Sequence, residues 1–122
     1  PGPQNAWMEK YIFPGAYTPT LSEQLPSIER AKLFVSDVEI LRLHYAETLK
    51  LWREAFEKNR ETIASMYDEK FCRMWEFYLA GCETAFRHGV LMVFQIQLSK
   101  SLSTVPLTRD YISDFEKSHF EI

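Results

Sequence analysis

The sequence predicts an α/β chain in the order loop, helix, strand, two long helices, strand. Three observations carry that prediction. Strand formers cluster in 33–42 and 90–98 with alternating apolar positions. Between them, apolar residues recur in helical steps from Tyr45 to Phe86. Two strands cannot make a stable sheet alone in water, so the apolar strand faces call for further strands or a partner chain.

Residues 1–20 read as a loop, punctuated by Pro1, Pro3, Pro14, Gly15 and Pro19. Trp7, Tyr11, Phe13 and Tyr17 between them favour a segment packed down rather than free. Thr20 and Glu23 have capping-box spacing, which predicts a short helix carrying Leu21, Leu25 and Ile28 on one side. Pro26 is expected early in that helix, where a missing N–H costs least. Phe34, Val35, Val38, Ile40 and Leu41 then mark the first strand. Tyr45, Leu49, Trp52, Phe56, Ile63 and Tyr67 form one stripe of about six helical turns. Asp68 offers a cap for a second long helix, whose stripe is Phe71, Trp75, Tyr78, Cys82 and Phe86. Gly89 is suited to end it in a left-handed conformation. Met92, Phe94, Ile96 and Leu98 give the last strand one apolar face. The tail, 101–122, is either a short packed helix around Tyr111, Ile112, Phe115 and Phe120 or a loose segment.

The chain has 122 residues, one domain's worth, with 46% hydrophobic and 15% aromatic residues. That excludes a disordered tail for most of the length. With 14 basic and 17 acidic residues mixed along it and a formal charge of −3, nothing argues for nucleic acid. No apolar run approaches the roughly 20 residues of a membrane span. The start at Pro1 is that expected of a processed, cloned or proteolysed piece without a secretory leader. Cys72 and Cys82 point to different faces of one helix and cannot bridge within it. They read as small core residues rather than a redox pair. His44, His88 and His119 lack a ligand spacing, so no metal site is expected.

Three segments carry a family resemblance: Trp7 to Gly15 followed by Pro19 and Leu21-Ser22-Glu23; Leu41 to Leu49 with Trp52; and Phe71 to Ala80, ending at Cys82 and Phe86. Together they resemble the carboxy-terminal third of the cyclopropane-fatty-acyl-phospholipid and mycolic acid cyclopropane synthases. The resemblance implies the carboxy-terminal part of a Rossmann-like class I methyltransferase, spanning residues 1–100. Its two strands would form an antiparallel pair, accompanied by three helices. It implies S-adenosylmethionine as methyl donor, an unsaturated phospholipid acyl chain as substrate and a bound bicarbonate as base. The setting implied is cytoplasmic, at the membrane periphery. The glycine-rich turn that receives the cofactor belongs near the start of such folds. Gly2, Gly15, Gly81 and Gly89 form no such turn, so neither cofactor is expected to bind this chain alone.

By the same resemblance, Tyr45 matches the tyrosine whose hydroxyl holds the bicarbonate. On pattern alone it merely opens an apolar stripe; the surrounding family motif reverses that ordering. Phe13, Leu49, Cys82 and Phe86 match positions that line the acyl channel. Core packing explains Leu49, Cys82 and Phe86 about equally well, while Phe13 favours the channel. Tyr78 could join them but is expected in the core, where Trp52, Phe56 and Trp75 are also placed. A reading from a different class is a small helical interaction module, dimerising through an exposed apolar face without catalysis.

Overall fold

The computed structural model describes residues 5–89 and 91–119. Expectations attached to Pro1, Gly2, Pro3, Val90 and Phe120 lie outside them. The described elements are α1 (Ala6–Tyr11), α2 (Leu21–Arg30), β1 (Phe34–Leu41), α3 (His44–Lys58), α4 (Arg60–Met66), α5 (Glu69–Arg87), β2 (Val93–Ser99) and α6 (Asp110–His119). β1 and β2 pair as a two-stranded antiparallel sheet. The expected strands and helices are present, and three further helical segments arise where the pattern was weak.

The first is α1, inside the expected loop. It exists because Asn5 caps it, its side chain accepting a hydrogen bond from the Met8 N–H at 2.8 Å. The second comes from a break in the long stripe. Asn59 leaves helical geometry (φ −111°, ψ 10°), and its side-chain amide donates to the Ala55 carbonyl at 2.8 Å. An Asn that bonds back to the chain competes with the helix ladder, so α3 ends and α4 begins. The third is α6, which settles the tail as helical over the described residues.

The cap signals hold where expected. The Glu23 carboxylate accepts from the Thr20 N–H at 2.7 Å at the start of α2. Asp68 accepts from the Phe71 N–H at 2.6 Å at the start of α5. Gly89 follows α5 with φ +82°, a conformation that costs a glycine nothing. Pro26 is displaced from its expected place: it is the sixth of ten residues of α2, and the helix continues through it.

The chain forms two compact units. One contains residues 1–18 and 39–95, and its core lies between α3 and α5. Leu49 and Phe56 of α3 meet Cys72 and Leu79 of α5, and all but Phe56 are wholly shielded from solvent. Arg60 ties the helices together, reaching Glu57 at 3.3 Å, Glu69 at 2.7 Å and Glu76 at 2.9 Å. The other unit contains residues 19–38 and 96–122. Here the Gln97 side chain accepts from the hydroxyls of Ser36 and Tyr111, and Arg109 pairs with Asp37. These polar contacts fix the tail beside the sheet.

Candidate active site

The five residues singled out from the sequence all fall in the unit built on α3 and α5. Tyr45 is in the first turn of α3 and Leu49 one turn further along the same face. Across from them, Tyr78, Cys82 and Phe86 repeat at intervals of four on α5. The ring centroids of Tyr45 and Phe86 are 4.9 Å apart and nearly perpendicular, at 77°. Leu49 is fully buried, while Tyr45, Cys82 and Phe86 are half-buried around the same core cluster. Phe13 joins at the margin: it is 44% exposed, and its ring meets Tyr78 edge-on at 6.0 Å. The structure thus brings Tyr45, Leu49, Cys82 and Phe86 together, and links Phe13 to them through Tyr78.

Tyr78, expected in the core with the acyl channel as its alternative, packs against both Phe13 and the core cluster. Burial, then the neighbouring Cys82 and Tyr45, push its phenol up to about 12. Burial likewise raises the neighbouring Cys82 thiol above its usual value. Both groups therefore stay protonated at neutral pH. Two phenols and a thiol converge on a wall otherwise made of Leu49 and aromatic rings. The signal was present in the sequence, since Tyr78 precedes Cys82 by four on one helix face. Trp52 departs the other way: expected in the core, it is 49% exposed, with its ring edge-on to Tyr45 at 5.9 Å.

An ion-pair clamp fixes this end of the two helices. Arg87, next to Phe86, bridges Glu47 of α3 at 2.8 Å and Glu83 of α5 at 3.1 Å. Arg53 reaches Glu83 from α3 at 3.0 Å. Burial alone would raise the Glu83 carboxyl; the two guanidinium partners outweigh it and hold the group below its ordinary value.

The Tyr45 hydroxyl is a hydrogen-bond donor, and α3 begins at His44, after Leu43, without a side-chain cap. Its first-turn N–H groups add positive potential, which the Glu47 carboxylate of the same turn, held by Arg87, partly offsets. Among the described residues, no group of three His, Cys, Asp or Glu side chains is placed to hold a metal. No helix among them is long and apolar enough to cross a membrane.

Comparison with known proteins gives a consistent result. The sequence profile of mycolic acid cyclopropane synthetase matches residues 2–96, a stretch that contains all five candidate residues. Tuberculostearic acid methyltransferase UfaA1 of Mycobacterium tuberculosis is 46% identical over 91 residues, covering 73% of this chain and 21% of the relative. A probable fatty acid methyltransferase of Pseudomonas putida is 41% identical over 108 residues, covering 85% and 27%. Among solved structures, mycolic acid cyclopropane synthase CmaA1 in complex with SAH and CTAB is 29% identical with a TM-score of 0.73. That likeness covers 75% of this chain and 32% of the solved one. The chain thus spans roughly a fifth to a third of the length of the relatives it matches. Its α/β arrangement is part of the class I methyltransferase fold. On this evidence the chain belongs to the mycolic acid cyclopropane synthetase family.

Proposed function

We propose that this chain is the carboxy-terminal part of an S-adenosylmethionine-dependent enzyme that methylates the cis double bond of an unsaturated phospholipid acyl chain and closes a cyclopropane ring. The parent enzyme works in the cytoplasm at the membrane periphery. The observation that carries the reading is the wall at one end of α3 and α5. There the phenol of Tyr45 stands among Leu49, Cys82, Phe86 and the Phe13–Tyr78 pair.

An alkene is a weak nucleophile, so such a reaction needs a dry, aligned site that tolerates positive charge on the acyl chain. Leu49 and Phe86 exclude water along the wall, and Phe13 extends it at the margin. The faces of aromatic rings such as Tyr45 and Phe86 are able to stabilise a nearby cation. The bicarbonate, when bound, supplies the base that takes up a proton from the methylated chain. Tyr45 holds it by donating its phenolic hydrogen to one oxygen, and Tyr78 and Cys82 supply a neutral polar border. Keeping those two groups protonated avoids placing a second negative charge beside the base. S-adenosylmethionine is held by parts of the parent enzyme outside this chain, so the chain by itself carries no activity.

The test is Tyr45→Phe in the longer parent protein. Turnover is expected to fall by about tenfold or more with lipid affinity little changed, since only the base-holding contact is lost. Turnover equal to that of the unsubstituted enzyme removes Tyr45 from the site.

A further inference from the structure

The second half of α5 carries the candidate site; its first half faces something else. Within the same unit, α1 and residues 68–77 enclose an open groove of about 880 Å³. Its apolar lining is Trp7, Tyr11, Phe71, Met74 and Phe77. Trp7 packs edge-on to Phe77 at 4.8 Å and lies 5.7 Å from Tyr11, yet Phe77 remains 62% exposed. Tyr67 continues the surface, stacked on Phe71 at 4.5 Å and itself 64% exposed. So large an apolar, aromatic face marks a binding surface on a folded protein.

Charge says what kind of surface it meets. Lys70 and Arg73 line the groove, and the Lys10 ammonium sits 4.9 Å over the Tyr11 ring. The nearby carboxylates are already engaged. Asp68 lines the groove too, with one oxygen capping α5, while Glu69 and Glu76 are held by Arg60. Glu9 of α1 does not line the groove. At the far end of α5, by contrast, Arg87 is clamped between two carboxylates. The groove therefore combines two cations and one capping carboxylate with large rings; Trp7 and Tyr11 within it, and Tyr67 beside it, bear a polar edge or tip.

We infer that this groove docks the chain on an anionic phospholipid bilayer, with its rings among the head groups and Lys70 and Arg73 against the phosphates. Amphipathic rings favour the level where apolar and wet regions meet, and basic side chains are drawn to the negative surface potential. The choice of a lipid surface over a protein partner rests on the lipid-methylation reading above. Its test needs no turnover, so the two stand or fall separately.

The measurement is co-sedimentation of the chain with vesicles of phosphatidylglycerol mixed into phosphatidylcholine, and with phosphatidylcholine alone. Binding is expected on the anionic vesicles only, and to weaken as salt shortens the reach of the charges. The double substitution Lys70→Glu/Arg73→Glu is expected to lower the affinity by about tenfold or more. Phe77→Ser, at an exposed position, is expected to weaken binding while leaving its salt dependence in place. The charge reversal is expected to lower vesicle binding in the longer parent protein as well. Equal binding to both vesicle types overturns the inference, as does indifference to the charge reversal in either protein or a complete lack of vesicle binding.

Discussion

Leu79 and Phe77 lie two residues apart on α5, one with no exposed surface and the other 62% exposed. Their difference tests where the core ends. Removing the Leu79 side chain leaves a cavity lined by Leu49, Phe56 and Cys72, since the helices can close only partly around it. Leu79→Ala is therefore expected to lower unfolding free energy by about 2–5 kcal/mol. Phe77→Ala should change it by well under 1 kcal/mol, roughly the range of surface substitutions. Urea denaturation of the two variants checks this; equal losses would mean that the core is centred elsewhere on α5. The stripe read from the sequence, Phe71 to Phe86, runs beside the true centre at Cys72 and Leu79. Aromatic residues dominate a pattern because they are large, but small and aliphatic residues fit where two helices come closest. Cys82 and Phe86 were site candidates through the family resemblance, while the pattern alone left core packing equally open; both are half-buried against the core cluster. Tyr78 was legible only as the weaker of two readings, because its place one turn before Cys82 fits ordinary core packing as well.

Among elements, the helices with explicit caps were the most legible. Thr20, Asp68 and Gly89 act through contacts within a few residues of themselves, so sequence spacing captures them. The α3–α4 break was not legible: the apolar stripe runs on through it, and only the Asn59 side chain turning back to Ala55 ends α3. The clamp between α3 and α5 was also hidden, since Arg87 and Glu47 are forty residues apart and meet only in the folded chain. That clamp has a pH signature. Glu83 titrates below its ordinary value when folded, so its contribution is complete above the unfolded carboxyl value and is lost as pH falls through the folded one. Charge-assisted bonds of this kind contribute about 1 kcal/mol when their guanidinium partners are partly open to solvent. Glu83→Gln is thus expected to lower the melting temperature at neutral pH and to have a shrinking effect as the solution becomes more acidic. A deficit that stayed constant into strong acid would show that Glu83 acts through shape rather than charge.

For the whole molecule, burial is distributed unequally between the two units. Every fully buried hydrophobic side chain among the described residues belongs to the unit of α3 and α5; in the other unit the buried residue is Ser99. That second unit is held by polar ties, namely Gln97 with Ser36 and Tyr111, and Arg109 with Asp37. The sheet that the sequence left unfinished also keeps apolar surface open. Ile40 and Leu98, both strand formers, remain 43% and 41% exposed on the described strands. Hydrogen bonds exchanged against water give a small net gain, whereas burial of apolar surface dominates folding free energy. The amides of α3 and α5 should therefore open only near global unfolding, while α2 and α6 open locally at lower cost. Hydrogen–deuterium exchange followed by mass spectrometry is expected to show α3 and α5 exchanging at least about a hundredfold more slowly than α2 and α6. Uniform exchange across all four helices would mean that the polar ties around Gln97 couple the tail to the core as firmly as apolar packing does. Gln97→Ala, which removes the acceptor shared by Ser36 and Tyr111, should then speed exchange in α6 and leave α3 and α5 unchanged.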